Sequence, residues 1–276
     1  MSHATTAISS PTDQSTRDER WAPAIALAWR EITRFSRQRS RIIGALGTPV
    51  VFWLLIGSGL GRSFQPAGAT TDVGYLEYFF PGTILLVVMF TAIFCMISVI
   101  EDRREGFMQA VLASPSERFA IVFGKVCGST VLATVQGLLF LLLAPLSGVP
   151  LTPLGFVALA GLLVLIAVGL SAMGLLMAWP LDSTQGFHAV MNLLLMPMWF
   201  LSGALFPASG AASWIAWLVY LNPLTYGLAA VRRTMYGQQA EEIAGAMPSL
   251  GFSMGVSAAF AVVMLFLAVR VVGRRA

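Results

Sequence analysis

Long apolar runs with almost no formal charge, separated by short polar or charged segments, dominate the chain from residue 42 to residue 269. A helix needs roughly 20 mostly apolar residues to cross a bilayer. Six runs come close to that length, at residues 42–61, 78–100, 119–143, 154–179, 189–205 and 249–269. The pattern therefore predicts an all-α integral membrane protein, in which residues 42–275 form a single transmembrane domain of six helices.

The segment before the first predicted span has two parts. Residues 1–20 are polar and contain no apolar run, which predicts a disordered tail and no cleavable signal peptide. Residues 21–41 place apolar side chains at helical spacing and end in a basic flank. They predict an amphipathic helix in the headgroup region, with Trp29 as anchor and Arg30 and Arg34 directed toward anionic lipid. A basic flank that only orients the first span is the alternative, and the two interpretations are compatible.

The stretch before the last predicted span is ambiguous. Residues 206–227 carry no formal charge, but their apolar core, residues 214–221, is too short to cross a bilayer. Pro207 and Pro223 bracket this core. We therefore predict a re-entrant or external hairpin here. Residues 228–248 contain two arginines and two glutamates and are expected to be aqueous or interfacial.

Composition and charge placement exclude several classes of protein. Charged residues make up 11% of the 276 residues, against about 25% in a soluble domain. On a six-span frame, 14 Lys and Arg residues fall on the side of the termini and 3 on the opposite side. The positive-inside rule then predicts a multi-pass protein of the cell (inner) membrane with both termini cytoplasmic. Because no soluble basic domain is present, we expect no nucleic-acid partner.

The densest charge cluster between two predicted spans is residues 101–118, which hold seven charged side chains. A charged helical segment at the cytoplasmic surface predicts a docking site for a separate, energy-supplying subunit. A solvated charged loop is the alternative. Lys125 lies about one turn into the next span and is expected to snorkel toward the side of Arg118. Gly124 and Gly128 have the spacing that allows close helix packing.

Two common motifs of catalysis are missing from the sequence. It contains no Walker A loop and no HExxH. We therefore expect no catalytic, cofactor or metal site in this chain and no enzymatic activity of its own. The spans also lack the chain of Asp, Glu and His residues typical of proton-driven transporters. An ATP-independent carrier or channel, and an intramembrane enzyme or assembly factor, are the alternatives to a transport subunit driven by another chain.

Two blocks of sequence resemble the type-2 ABC exporter permeases, a family that includes daunorubicin-resistance, nodulation-factor and polysaccharide-export permeases. The first block resembles their cytoplasmic loop and consists of Glu101-Asp102-Arg103-Arg104-Glu105-Gly106, Leu112 and Ser114-Pro115. The second is similar to the stretch before their last helix and consists of Pro197, Ser202-Gly203, Phe206-Pro207, Trp214, Asn222-Pro223-Leu224-Thr225-Tyr226, Ala230 and Arg232. The resemblance covers about residues 21–275. One departure is Ala212-Ser213, where many relatives have a proline.

The resemblance implies a permease subunit of an ATP-driven exporter, with ATP and Mg²⁺ bound in a partner subunit. Glu105 and Gly106 would lie within a coupling helix that sits in a cleft of that ATPase. The implied coupling residues are Glu101, Arg103, Arg104, Glu105, Gly106, Ser114 and Pro115. The implied interfacial helix contains Trp29, Arg30 and Arg34. The implied hairpin contains Ser202, Gly203, Phe206, Pro207, Asn222, Pro223, Tyr226 and Arg232.

A central path between two permease copies, identical or related, would complete such an exporter. Its apolar lining is expected from Phe52, Trp53, Phe90, Phe94, Met196, Trp199 and Phe200. Methionine and aromatic side chains suit a broad site for an amphiphilic drug-like or lipid-linked cargo. Ordinary contacts with lipid or between helices are the alternative for each of these residues.

Overall fold

A computed structural model describes residues 15–61, 74–113, 118–149, 151–207 and 213–274. Within these ranges the chain is helical, with no strand. A short 3-10 helix, Gly237–Gln239, links α11 and α12. The helices are α1 (Ser15–Arg37), α2 (Arg39–Leu60), α3 (Tyr75–Phe94), α4 (Ile97–Arg104), α5 (Phe107–Ala113), α6 (Arg118–Leu141), α7 (Ala144–Ser147), α8 (Pro153–Ala178), α9 (Thr184–Phe200), α10 (Ser213–Leu221), α11 (Pro223–Tyr236), α12 (Ala240–Ala244) and α13 (Leu250–Arg274).

Side-chain caps set the beginnings of three of these helices. The hydroxyl oxygen of Thr152 accepts a hydrogen bond from the Gly155 amide at 3.0 Å and begins α8. Ser183 caps α9 in the same way, and Asn222 caps α11. Each cap satisfies one of the amides that a helix N-terminus leaves unpaired. Because Ser183 is a cap, α9 begins at Thr184, five residues before the predicted start of the fifth span.

Five helices in the described ranges are long and apolar enough to cross a membrane, and six if the bent pair around Asn222 counts as one. They are Ile42–Leu60, Tyr75–Arg104, Arg118–Leu141, Pro153–Ala178 and Leu250–Gly273. α9 has 17 residues and lies at the short end of the range for a span. The bent pair turns by 73° at its break. The prediction of an all-α membrane protein is confirmed.

The core of the bundle is built around α3. In the most apolar 18-residue stretch of its span 89% is buried, whereas the figures for the spans of α2 and α13 are 17% and 22%, and these two helices form the periphery. α6 and α8 lie close to α3 at two glycines. An added Cβ at Gly137 of α6 would lie 2.7 Å from the side chain of Val88, and one at Gly174 of α8 would lie 3.0 Å from the backbone of Ile93. The arrangement leaves two apolar outer faces, of which Leu55 on α2 and Phe266 on α13 are examples.

The N-terminal region departs from the prediction. α1 begins at Ser15, so the polar segment expected to be a tail through residue 20 contributes six residues to a helix. Residues 1–14 lie outside the described residues. α1 continues through Pro23 to Arg37, and α2 follows after Gln38.

Candidate functional site

A glycine turn divides the charged segment after α3 into two short helices. α4 ends at Arg104, Gly106 has a φ of +76°, and α5 begins at Phe107. A residue with a Cβ rarely adopts this conformation, so glycine suits the position. The expectation that Glu105 and Gly106 lie inside one coupling helix is therefore wrong, because they form the turn between two helices. Ser114 and Pro115 lie outside the described residues.

Asp102, on α4, is fully buried and holds two arginines of α1. The guanidinium of Arg30 donates two hydrogen bonds to its carboxylate, at 2.8 and 2.6 Å. Arg34 donates a third at 3.0 Å. Bidentate pairs of this kind are among the strong hydrogen bonds in proteins. The prediction that Arg30 and Arg34 face anionic lipid is wrong, since both guanidinium groups turn inward to the protein's own carboxylates.

Lys125, on α6, completes this cluster from the opposite side. Its ammonium donates to the carboxylates of Glu31 and Asp102 and, at 3.2 Å, to the hydroxyl of Ser98. The lysine is fully buried, so the expectation that it snorkels toward Arg118 is wrong. A buried ammonium is tolerated when carboxylates and hydroxyls satisfy it, as they do here.

The edge of the cluster reaches the surface. Arg34 donates to Glu101 at 2.8 Å and lies 3.8 Å from the carboxylate of Glu105, which is 61% exposed. Arg30 also stands over the Phe107 ring, 3.9 Å from its centroid, and so contacts α5 as well as α4. The hydrogen bond to Asp102 raises the pKa of Arg30 above its ordinary value. We refer to Arg30, Glu31, Arg34, Glu101, Asp102 and Lys125 as the ion cluster.

Close approach of α1 and α6 makes the ion cluster possible. A Cβ added at Gly124 would lie 2.7 Å from the carbonyl oxygen of Ala24. One added at Gly128 would lie 2.9 Å from the Cβ of Glu31. α1 therefore packs directly against α6 at the two glycines that were predicted to allow close packing. Trp29 lies on the outer face of α1 and is 69% exposed.

The two arginines of α4 bind the connection between α8 and α9. Arg103 donates to the carbonyl oxygens of Ala178 and Leu181 at 3.2 and 3.0 Å, and lies 3.4 Å from the carboxylate of Asp182. Arg104 donates to the carbonyl oxygen of Asp182 at 3.0 Å. Both arginines thus fasten α4 to a neighbouring loop, although the side chain of Arg104 is exposed.

Glu31, Ser98 and Lys125 are functional-site candidates that sequence reasoning did not select. The available signal was the single lysine in an otherwise uncharged run, because an ammonium at that depth needs a carboxylate. Its partners lie 94 and 23 positions away in sequence, at Glu31 and Asp102. Periodicity within one helix carries no information on partners at such separations.

An apolar cavity of about 470 Å³ lies between α2, α3 and α9. Six of the seven residues expected to line a cargo path border it: Phe52, Phe90, Phe94, Met196, Trp199 and Phe200. Thr48, Thr91 and His188 contribute the polar part of its wall. Phe52, Met196 and Phe200 are each 38–39% exposed, so the cavity is open along one side.

Trp53, the seventh residue expected to line the cargo path, does not border this cavity. It is 1% exposed and packs edge-on against Phe80 and Phe140, with centroid distances of 5.3 and 5.7 Å. Its indole N–H donates to the carbonyl oxygen of Leu76 at 2.9 Å. These contacts hold α2 against the core. For Trp53 the alternative interpretation, ordinary packing between helices, therefore applies.

The predicted hairpin is a compact unit tied to the end of α9. Asn222 caps α11 and also donates to the carbonyl oxygen of Met198 at 2.6 Å. The phenol of Tyr226 donates to the carbonyl oxygen of Tyr220 at 2.8 Å. Ser202 donates to the carbonyl oxygen of Trp199 at 2.6 Å. Pro223 occupies the first turn of α11.

The turn after α9 contacts α3. Gly203 has a φ of +90°, and its carbonyl oxygen accepts hydrogen bonds from Tyr78 and Arg232, both at 3.0 Å. Phe206 is 42% exposed, and Pro207 follows it at the edge of the described residues. Arg232 is only 4% exposed, so the expectation that its segment is aqueous or interfacial is wrong for this side chain.

Comparison with known proteins gives a consistent result. The family model described as ABC-2 type transporter matches residues 24–236. The chain is 26% identical over 246 residues to the ycf38 transport permease of Cyanophora paradoxa, covering 87% of this chain and 83% of that protein. It is 26% identical over 219 residues to nodulation protein J of Rhizobium leguminosarum bv. viciae, covering 77% and 79%.

A third relative carries a more explicit name. The daunorubicin resistance ABC transporter permease protein DrrB1 of Streptomyces coeruleorubidus is 24% identical over 216 residues, covering 76% of this chain and 73% of that protein. The matched region takes in the ion cluster, the apolar cavity and most of the hairpin.

Proposed function

The chain belongs to the ABC-2 type transporter family, and from that premise we propose that this transport permease subunit serves an ATP-driven exporter. In this proposal a separate ATP-binding subunit holds ATP and Mg²⁺ and docks on the surface formed by α1, α4 and α5. The cargo is an amphiphilic drug-like or lipid-linked molecule that leaves the cytoplasm. Both termini and the docking surface face the cytoplasm, as the placement of basic residues favours.

The observation that carries the proposal is the ion cluster. Through Asp102 and Lys125 it joins α1, α4 and α6, and through Arg30 it contacts α5. A force applied to the turn at Gly106 is therefore transmitted to α6 without passing through a flexible linker. A docking surface of this construction suits a subunit that must convert nucleotide binding into movement of membrane helices.

Length supports a position of this surface outside the hydrocarbon. The span Tyr75–Arg104 has 30 residues, which corresponds to roughly 45 Å of helix. The hydrocarbon core is only about 30 Å thick. Because four of its five charged residues, Glu101 to Arg104, are at the C-terminal end, that end is the one expected to project into water.

The surface offers partly exposed groups to a partner. A groove of about 520 Å³ on α1 is lined by Trp29, Arg30, Arg34 and Arg37, among others. The exposed side chains of Arg104 and Glu105 are on the adjoining turn. A cationic groove with an exposed tryptophan suits an acidic and aromatic partner surface, where arginine and tryptophan are often dominant contributors.

The cavity between α2, α3 and α9 supports an apolar cargo path. Among the described residues of its wall, six are phenylalanine or tryptophan and one is Met196, whose flexible thioether adapts to different apolar ligands. Its open side is bordered by Phe52 and Met196, and neighbouring residues of α2 such as Leu55 are exposed. A second permease copy placed against this side would enclose the path and cover the exposed apolar face.

Co-purification from the native host tests the proposal. We expect the tagged full chain, extracted in mild detergent, to recover a stoichiometric protein that carries a Walker A sequence, as identified by mass spectrometry. Glu105→Lys should lower this recovery or uncouple ATP hydrolysis from transport, because Glu105 is the most exposed carboxylate of the turn. Glu242→Lys, at an exposed position of α12, is the matched control and should behave like the wild type.

Two results would contradict the proposal. A chain that purifies without any ATPase at low and high salt would favour a self-sufficient carrier or an intramembrane enzyme. Normal recovery of the ATPase together with normal coupled transport in Glu105→Lys would show that the ATPase does not dock at the turn at Gly106.

A further inference from the structure

Arg232 is a buried cation without a carboxylate partner in the part of the chain that the structure describes. Its side chain is on α11, and the residue is 4% exposed. Nη2 donates to the carbonyl oxygen of Gly203 at 3.0 Å and lies 3.5 Å from that of Tyr78. The guanidinium carbon stands 4.5 Å from the centroid of the Tyr78 ring. Nε, although buried, has no hydrogen-bond partner there.

The neighbouring carboxylates are directed elsewhere. Glu77 precedes Tyr78, but its Oε2 lies toward Gly148, 3.7 Å from where a Cβ on that glycine would be. Glu241 is bound by Arg233, which also donates to the carbonyl oxygens of Met247 and Pro248. Among the described residues the two arginines differ clearly, because Arg233 binds a carboxylate and Arg232 contacts carbonyl oxygens and a ring.

A cavity of about 100 Å³ adjoins Arg232 beneath the hairpin. Among the described residues that border it, Arg232 is the one that carries a charge. Val219, Leu228 and Ala229 give the cavity apolar walls. Tyr220 and Ala246 border it and are exposed, so the cavity opens on their side. Its size admits several water molecules or one small polar group.

We propose that this cavity binds an oxyanion of the phosphate class, with Arg232 as the charged group that receives it. The oxyanion is either the headgroup of a lipid or free phosphate, since both present the same chemistry to a guanidinium. The planar fork of arginine matches phosphate oxygens, and its remaining N–H groups are available for the bonds. A buried charge is costly when unpaired, and a bound anion at the open side removes that cost.

The apolar walls limit what enters. They suit a single phosphate group whose uncharged remainder stays outside the cavity, near Tyr220. The inference is independent of the ATPase and of the cargo, because binding at Arg232 is measured directly. Its failure would leave the proposed transport function unchanged, and failure of the transport proposal would leave this site in place.

Thermal unfolding of the purified full chain in a neutral, phosphate-free detergent tests the site. Inorganic phosphate is titrated at constant ionic strength, and dioctanoyl phosphatidate is titrated in parallel with dioctanoyl glycerol as the uncharged control. We expect a saturable rise of the unfolding midpoint with one or both phosphate-bearing probes and none with the uncharged lipid. Arg232→Gln should weaken the apparent affinity by about tenfold or more, the usual effect of losing charge-assisted hydrogen bonds.

Two further variants keep the test decisive. Arg270→Gln removes an exposed cation from the far end of α13 and should bind like the wild type, which separates site binding from general charge. Ala246→Leu narrows the open side and leaves Arg232 in place, so it should lose the response even if Arg232→Gln fails to fold. Any subunit that co-purifies is common to all variants, so its own response cancels in the comparison.

The outcomes separate the sources of the anion. A response to both probes that is lost in Ala246→Leu indicates a phosphate site reachable from water. A response to phosphatidate alone indicates a lipid headgroup site. No response in the wild type, or an equal response in the wild type, Arg232→Gln and Ala246→Leu, would overturn the proposal and leave water as the occupant.

Discussion

Replacement of Lys125 by methionine is the sharpest test of the ion cluster. Methionine keeps most of the length and apolar volume of the side chain and removes its charge. The change leaves the buried carboxylates of Glu31 and Asp102 without the ammonium that both bind. We expect a large loss of stability, since breaking a buried ion pair from one side costs about 3–5 kcal/mol.

The contacts that remain place the expected loss near the lower end of that range. Asp102 keeps three hydrogen bonds from Arg30 and Arg34, so its charge stays compensated. Among the described residues, the cation that Glu31 keeps is Arg30, at 3.7 Å. We therefore expect about 3 kcal/mol for Lys125→Met, most of it from Glu31. The double variant Lys125→Met/Glu31→Gln should be no less stable than Lys125→Met, because it also removes the charge of Glu31 that Lys125→Met leaves unpaired. This corresponds to a coupling free energy between the two substitutions of about 1–3 kcal/mol.

Reversible denaturation of the purified chain in detergent, followed by tryptophan fluorescence, measures these differences. Arg270→Met is the control, because it removes an exposed cation whose guanidinium carbon lies 4.8 Å from the centroid of the Phe266 ring. Its cost should stay within about 1 kcal/mol. The reasoning is refuted if Lys125→Met matches that control, or if Glu31→Gln adds its full cost on top of Lys125→Met.

Two further predictions concern glycines. Gly106→Ala should destabilise the chain by about 1–2 kcal/mol. Its φ is +76° and no atom of the described residues lies within 4 Å of an added Cβ, which leaves backbone strain as the cause. Gly128→Ala should cost about 1–3 kcal/mol, because its Cβ would press on α1 at Glu31 and push the ion cluster apart. Gly161→Ala on α8 is the control for both in the same denaturation assay. It has open space and helical geometry, so it should be neutral or slightly stabilising. Equal effects at all three positions would contradict both arguments.

The helices of the bundle could be predicted from the sequence because an apolar run of span length has few alternatives to a helix in a membrane. The partners of its buried charges could not. Arg232 and Arg233 are adjacent in a charged stretch and look alike in sequence, yet α11 turns them about 100° apart. One points into the protein and the other reaches Glu241. The same limit applies to Arg30 and Arg34, whose direction depends on where α1 packs.

The position of Phe94 connects the charged and apolar parts of the candidate site. Phe94 is the last residue of α3 and borders the apolar cavity, with its ring 4.9 Å from that of His188. α4 begins three residues later, at Ile97, and carries Asp102 in the ion cluster. Because 89% of the most apolar stretch of this span is buried, its side chains have little room to absorb a shift of α4 by local repacking. A displacement imposed on α1 and α4 would therefore move Phe94, and the proposed coupling needs no relay besides the two-residue turn that joins α3 to α4.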